Sequence, residues 1–161
     1  MDWKEKYKIR LKFETELKEK FPNLYSGLGF HWRDGGMLGG VEIGEGWYNI
    51  IRLLSEKLEY FINKLTEEER PRAVQVKEKF AGLRFYMSAK TKEMSEAIRE
   101  AEDRSYKVCE YCGAPGYESD YSWWMKTLCE KCHEERKNDQ AKMHTTRGET
   151  WKLKSKGKRL R

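Results

Sequence analysis

The stretch QVKEKFAGLRFYM, residues 75–87, alternates apolar and polar side chains on both sides of an Ala-Gly pair. Successive side chains of a strand point to opposite faces, so this alternation predicts a β-hairpin with one buried and one solvated face. We place the two-residue turn at Ala81-Gly82, which pairs Phe80 with Leu83 across the hairpin. The hairpin decides the fold, because the flanking segments must cover its apolar face.

The two faces of the hairpin differ in chemistry. The inward face is predicted to be apolar and to consist of Val74, Val76, Phe80, Leu83, Phe85 and Met87. The outward face is predicted to carry three cations and a tyrosine: Lys77, Lys79, Arg84 and Tyr86. In the predicted register Lys77 lies directly opposite Tyr86 on the other strand. Glu78 is an exception, since its parity places a carboxylate on the apolar face. The three cations indicate either an anion-binding surface or an ordinary hydrated one, and the sequence leaves both open.

Helical periodicity on both sides of the hairpin supplies the elements that could cover it. The strongest pattern spans residues 47–65. Its apolar stripe comprises Trp47, Ile50, Ile51, Leu54, Leu58, Phe61, Ile62 and Leu65. A shorter helix is predicted for residues 91–104, and its inward positions are Met94, Ile98 and Ala101. Both stripes recur every three or four residues, which is the period of an amphipathic helix packed on a core.

The N-terminal part of the chain is predicted to begin with another helix, which ends at Pro22. Its recurring apolar positions are Trp3, Tyr7, Leu11, Leu17 and Phe21. A glycine-rich region follows, in which Asp34-Gly35 is a hairpin-turn signal. Taken together, the segments predict an α+β fold with helices packed on a small antiparallel sheet, and residues 1–105 form this body.

Four cysteines carry the strongest chemical signal. Cys109 and Cys112 are separated from Cys129 and Cys132 by sixteen residues, and each pair has two residues between its members. This spacing is typical of a tetrahedral four-thiolate zinc site, so residues 106–134 are predicted to form a zinc ribbon. Four thiolates leave no position for His133 as a ligand. They also leave no open position for substrate, so the zinc is predicted to be structural.

Charge is concentrated at the C-terminal end. From Arg136 onward there are ten Lys or Arg residues against two acids, although the formal charge of the whole chain is only +6. The cations predicted to act in this tail, residues 135–161, are Arg147, Lys152, Lys154, Lys156, Lys158, Arg159 and Arg161. A basic tail is typical of nucleic-acid-binding arms, and a solubilising role is an equally weighted alternative. The tail is predicted to be helical or disordered.

Several classes of protein fit the sequence poorly. No run approaches the roughly 18 apolar residues of a membrane span, and no signal peptide is recognisable, so a cytoplasmic location is predicted. The chain shows no HExxH motif, nucleophile elbow or Walker loop, and no catalytic constellation is visible. His31, near a tight turn, is a conceivable acid–base group, but a hydrogen-bonded or solvated histidine is the simpler interpretation. A non-enzymatic protein is therefore expected.

The order of motifs resembles a family of small phage and prophage proteins. A GW-helix segment, VKEKFAGLRFYM, a helix and CEYCGAPG with a second CxxC follow one another over about residues 44–134. In that family a VKEKFGGLRFY-like hairpin precedes a zinc ribbon, so Ala81 departs from the family's glycine. The resemblance implies a mobile-element origin, and hence a bacterial host cytoplasm, with residues 76–86 and the four cysteines as the shared framework. It carries over no activity and no catalytic residue.

Three functions follow from these observations. The first is an accessory protein that binds nucleic acid through its ribbon, its tail and the cationic hairpin face. The aromatic residues between the cysteine pairs would serve as stacking platforms or pack the ribbon onto the body: Tyr117, Tyr121, Trp123 and Trp124. The second is an anti-defence effector that captures a host protein or a small nucleotide signal. The third is a zinc-ribbon nuclease. DNA versus RNA and homo-oligomerisation stay open.

Overall fold

The chain folds as an α+β protein, as predicted, with helices around two small sheets. The computed structural model describes residues 2–119 and 125–138. The helices are α1 (Trp3–Lys20), α2 (Tyr48–Ile62), α3 (Lys92–Ser105) and α4 (130–138). The strands are β1 (Val41–Glu42), β2 (Ala73–Lys79), β3 (Gly82–Met87), β4 (Tyr117–Ser119) and β5 (Lys126–Leu128). Within these described ranges, no helix is both long and apolar enough to cross a bilayer.

The larger sheet has three strands in the order β1-β2-β3. β2 and β3 form the predicted antiparallel hairpin. β1 adds a parallel pairing that the sequence did not predict, with Val41 opposite Val76 and Glu42 opposite Lys77. A strand of two residues is too short to show alternation, which is why its pattern gave no signal.

The predicted hairpin register is wrong, because the turn lies one residue earlier than expected. Phe80 and Ala81 form the turn, and Lys79 pairs with Gly82. Both turn residues adopt left-handed backbone angles, with φ of 51° and 61°, as a two-residue type I′ turn requires. Glycine is needed at the next position instead, since a Cβ on Gly82 would lie 2.4 Å from Cζ of Tyr106.

The shifted register leaves most of the predicted faces intact. Val76, Leu83 and Phe85 are buried, and Val74 and Met87 are partly buried. Phe80 was wrongly assigned to the core: its side chain is 63% exposed because it lies in the turn rather than in a strand. Glu78 does lie on the inward side, as its parity predicted, opposite Leu83.

The hydrophobic core lies between this face of the hairpin and the helices α2 and α3. The predicted stripe of α2 is confirmed: Trp47 precedes the helix and is fully buried, and Ile51 and Leu58 are also inaccessible to solvent. The predicted inward residues of α3 are confirmed too. α3 begins after Thr91, whose side chain accepts a hydrogen bond from the backbone N–H of Met94 and so caps the helix.

α1 joins the core mainly through its second half, and Ile9 of the first half is partly buried against the core. Phe13 and Leu17 are buried, and the ring of Phe13 stacks on Tyr48 at a centroid distance of 3.8 Å. The first half of the predicted stripe is wrong, because Trp3, Tyr7 and Leu11 are 70%, 49% and 42% exposed. The three residues share a helix face, but the body provides nothing for the first two turns to bury that face against completely.

The outer edge of β3 is covered by side chains from α3. The backbone N–H of Leu83 donates to Oγ of Ser105 at 2.8 Å. The backbone N–H of Phe85 donates to Oε1 of Glu102 at 3.2 Å. These bonds satisfy two N–H groups of the strand edge without a fourth strand.

The glycine-rich region does not form the predicted hairpin. Residues Trp32–Asp34 form a short 3₁₀ turn, and Gly35 follows with a left-handed φ of 69°. The segment pairs through a single parallel bridge between Leu28 and Met37. Asp34-Gly35 therefore lies in a turn, as predicted, but the segments on either side of it form a loop rather than two antiparallel strands.

Candidate functional site

The four cysteines predicted as metal ligands lie together. Their Sγ atoms are all within 4.8 Å of one another, and those of Cys112 and Cys129 are 3.6 Å apart. Cys109 is fully buried, whereas Cys112 is exposed. A tetrahedral zinc ion with Zn–S bonds of about 2.3 Å requires sulfurs roughly 3.8 Å apart, so the cluster fits such an ion.

The backbone around the first cysteine pair explains why these sulfurs converge. The carbonyl of Cys109 accepts from the N–H of Gly113 at 3.0 Å, and the N–H of Cys109 donates to the carbonyl of Ala114 at 2.8 Å. Gly113 has a φ of 76°, a left-handed angle that glycine adopts without strain. The second pair is held differently, because α4 begins at residue 130 and its turn brings Cys132 back towards Cys129.

The thiols differ in acidity. The backbone N–H of Cys132 donates to the sulfur of Cys129 and lowers the pKa of Cys129 to about 7. Burial raises the pKa of Cys132. A metal ion binds cysteine as thiolate, so its charge must offset the unfavourable burial of the second sulfur.

His133 lies beside the cluster but is not one of the converging groups. Its Nδ1 is 2.5 Å from Oγ of Ser119, a residue of β4. Its backbone N–H donates to the carbonyl of Cys129 at 2.9 Å. The histidine therefore connects α4 to the small β4-β5 sheet.

The ribbon is joined to the body at the start of α2. The indole N–H of Trp47 donates to the carbonyl of Val108 at 2.7 Å. The backbone N–H of Gly46 donates to the carbonyl of Glu110 at 2.8 Å. Gly46 must be glycine here, since a Cβ would lie 2.2 Å from the carbonyl oxygen of Cys109. The GEGW segment is thus a docking point for the first cysteine knuckle.

A buried ion triad forms a second connection between ribbon and hairpin. Nζ of Lys126 lies 2.7 Å from Oε2 of Glu78 and 2.7 Å from Oε2 of Glu110. The three side chains are only 16%, 5% and 4% exposed. Burial disfavours the charged ammonium group of Lys126 and acts to lower its pKa. The two carboxylates, Glu110 more than Glu78, have the larger combined effect and raise the pKa of Lys126. The triad explains the unusual inward position of Glu78.

The ribbon also contacts the hairpin turn itself. Oγ1 of Thr127 donates to the carbonyl of Ala81 at 2.7 Å, and this bond is buried. The backbone N–H of Ala81 donates to Oε1 of Glu78 at 3.0 Å. Both backbone groups of Ala81 are therefore bound, and one of the partners belongs to the ribbon.

The outward face of the hairpin brings together the four residues predicted to bind a ligand. In the observed register Lys77 is opposite Arg84, whereas it was predicted to be opposite Tyr86. Nζ of Lys77 lies 6.0 Å from the ring centroid of Tyr86, and Nζ of Lys79 lies 5.1 Å from that of Phe80. Arg84 is held in place, since its Nη2 donates to the hydroxyl of Tyr106 at 2.8 Å.

Comparisons of the chain with protein-family models, with curated proteins and with solved structures found no match.

Part of the predicted site lies outside the described residues. This applies to the aromatic residues Tyr121, Trp123 and Trp124, and to the tail cations Arg147, Lys152, Lys154, Lys156, Lys158, Arg159 and Arg161. Tyr117 is described: its side chain is 46% exposed and its hydroxyl donates to Oε2 of Glu130 at 2.6 Å. His31 is exposed, and its Nδ1 accepts from the backbone N–H of Arg33 at 3.2 Å.

The residues that join the ribbon to the body, above all Lys126, Glu110 and Thr127, were not predicted from the sequence. The position of Glu78 on the apolar face of the hairpin was the one sequence feature that indicated such a contact, because a carboxylate on an apolar face requires a partner. Nothing local to the ribbon indicated which lysine would supply it.

Proposed function

We propose that the protein is a phage-type accessory protein that binds nucleic acid through the cationic face of the hairpin and the basic tail, with a structural zinc in the ribbon. The observation that carries the proposal is the alternation of cations and exposed rings at the hairpin. Lys77 and Lys79 each lie over an aromatic ring, and Arg84 is adjacent. Cations that neutralise phosphates and rings that stack on bases are the two components of a nucleic-acid surface.

The zinc ribbon has a supporting role in this proposal. Its four thiolates offer a closed set of ligands, which is typical of structural rather than catalytic zinc. Through Lys126 and Thr127 it contacts Glu78, two residues before Phe80 in the hairpin tip, and Ala81, the residue after it. The metal would therefore support the surface that binds the ligand.

The hairpin lysines give the first test. We expect the double variant Lys77→Gln/Lys79→Gln to bind oligonucleotides more weakly than wild type, because two phosphate contacts are lost. The slope of log K against log salt should decrease by about 2, one unit for each contact. Fluorescence anisotropy of a labelled oligonucleotide across a salt series measures both quantities. Arg84 is left unchanged, because its bond to Tyr106 makes it part of the fold.

A matched control is available on α1. Lys8→Gln/Lys12→Gln removes the same charge from two exposed lysines of that helix. Binding by this control should stay close to wild type. Equal losses in the two double variants would show that the protein responds to net charge alone and would contradict a binding face. Salt-independent or absent binding in wild type would favour capture of a host protein.

The basic tail gives an independent test. Removing residues 139–161 deletes eight Lys or Arg residues and leaves α4 intact as described. We expect the truncated protein to bind all nucleic-acid sequences more weakly and with a flatter salt dependence, because counterion release scales with the number of phosphates neutralised. The same anisotropy series measures this effect.

The thermal midpoint and the zinc content of the truncated protein serve as controls, and both should match those of the full chain. If the salt slope is unchanged by truncation, the tail acts in solubility and not in binding.

A further inference from the structure

Phe80 is an exposed aromatic residue in a backbone conformation that needs support. Its φ of 51° and the φ of 61° at Ala81 are in the left-handed region, where a side chain is disfavoured. Two non-glycine residues there persist only when their surroundings fix them. Such positions often display a functional side chain, and here the displayed side chain is a phenyl ring that is 63% exposed.

The surroundings that fix the turn belong largely to the ribbon. Thr127 binds the carbonyl of Ala81, and Lys126 holds Glu78, which binds the N–H of Ala81. Thr127 and Lys126 lie in β5, directly before the ligand Cys129. The position of the ring thus depends on the strand that leads into the metal site.

The chemistry around Phe80 indicates what would cover it. Lys79 places an ammonium group 5.1 Å from the ring centroid, and Lys77 and Arg84 lie on the same face of the hairpin. An apolar partner alone would contact the ring without engaging the ammonium group of Lys79. A strand of nucleic acid supplies both a phosphate for the cations and a flat base for the ring.

We propose that Phe80, held outward by the ribbon-clamped turn, stacks on an unpaired base, so that the preferred ligand is single-stranded nucleic acid. This inference rests on the proposed nucleic-acid binding and adds its strand preference and its stacking residue. In a duplex the bases are stacked on one another and offer no free face to the ring.

The experiment compares four ligands of equal length: a labelled oligo-dT, an oligo-U, an abasic strand and a DNA duplex. Wild type should bind the two strands with bases more tightly than the abasic strand and the duplex. Phe80→Ala should weaken binding to oligo-dT or oligo-U roughly tenfold and leave binding to the abasic strand unchanged. The relative affinity for oligo-dT and oligo-U distinguishes DNA from RNA.

The chain contains a matched control for this substitution. Tyr60 on α2 is 60% exposed and has Nζ of Lys64 4.0 Å from its ring centroid, so it repeats the pair of ring and lysine away from the hairpin. Tyr60→Ala should leave all four affinities unchanged. Phe80→Trp should retain the preference for strands with bases.

A second variant tests the role of the ribbon. Thr127→Val removes the hydroxyl that binds Ala81 but keeps the shape of the side chain. It should weaken binding to oligo-dT in the same way as Phe80→Ala, while the protein still contains one zinc per chain. Loss of zinc from Thr127→Val, or wild-type binding of oligo-dT by Thr127→Val with zinc retained, would overturn the proposal that Thr127 fixes the position of Phe80.

The outcomes separate this inference from the proposed function. Equal binding of oligo-dT and abasic strand by wild type, or unchanged binding by Phe80→Ala, would overturn the stacking role and leave phosphate binding standing. Absence of binding to all four ligands would overturn both.

Discussion

Cys109→Ser should abolish stoichiometric zinc binding and unfold the ribbon. Structural zinc sites contribute about 10–16 kcal/mol of binding free energy to the folded state, and a serine hydroxyl does not replace a thiolate ligand. The effect should reach the body, because Glu78 and Trp47 lose partners in the ribbon. Loss of these contacts should lower the thermal midpoint of the body as well.

Elemental mass spectrometry of protein purified without chelator measures the zinc, and calorimetry measures the midpoint. The body should still melt cooperatively, because its core between the hairpin, α2 and α3 contains none of the cysteines. His133→Ala is the matched control: it alters a neighbour of the cluster that is not among the converging groups, so one zinc per chain should remain. Wild-type protein without zinc, or Cys109→Ser with a full complement, would refute the metal site.

Lys126→Met should be the most damaging single change outside the cysteines and the apolar core. It removes the cation between Glu78 and Glu110 and leaves two buried carboxylates facing each other. Removing one partner of a buried ion pair costs about 3–5 kcal/mol, which predicts a loss of roughly 6–20 °C in the thermal midpoint. Urea denaturation at neutral pH measures the loss of free energy directly.

The pH dependence of this effect has a definite sign. Folding raises the pKa of Lys126, so its contribution is complete at neutral pH and is lost as the pH increases through the raised pKa. The stability advantage of wild type over Lys126→Met should therefore narrow in strongly alkaline solution, where Lys126 loses its charge.

An exposed ion pair provides the comparison. Nζ of Lys57 lies 2.7 Å from Oε2 of Glu100, the same distance as in the triad, but the two side chains are 56% and 66% exposed. Lys57→Met should change the midpoint little, since water screens the pair. The triple variant Glu78→Gln/Glu110→Gln/Lys126→Met should recover part of the loss, because it buries no unpaired charge. Similar midpoints for Lys126→Met and Lys57→Met would show that the buried triad contributes no more to stability than an exposed ion pair.

Features that depend on local sequence could be predicted. The stripes of α2 and α3 repeat over several turns, and the paired spacing of the four cysteines is typical of a metal-binding ribbon. The faces of the hairpin were also predictable, because alternation survives a change of turn that moves the register by two residues. Phe80 changed place because a turn residue belongs to neither strand, and at the start of β2 a register irregularity between Ala73 and Gln75 buries Ala73 in the core instead of Val74.

Features that depend on contacts distant in sequence could not be predicted. Phe80 and Ala81 have left-handed backbone angles, for which the local sequence preference is glycine. The turn is fixed instead by a hydrogen bond to Thr127, which lies in the ribbon. The exposure of Trp3 and Tyr7 likewise depends on tertiary packing, since no element among residues 2–119 and 125–138 covers them completely. Local patterns therefore located the main helices, the hairpin and the four cysteines that cluster, and tertiary contacts determined how the hairpin tip is presented.

The covered edge of β3 has a consequence for the behaviour of the protein at high concentration. An open strand edge is a template on which a second chain can add a strand, the first step towards fibrils. The N–H groups of Leu83 and Phe85 are already bound by α3. At the opposite edge β1 has two residues, and the N–H of Val41 donates to Oε1 of Glu14. Backbone N–H groups at both edges of the sheet are therefore already bound, which disfavours the addition of a strand from a second chain.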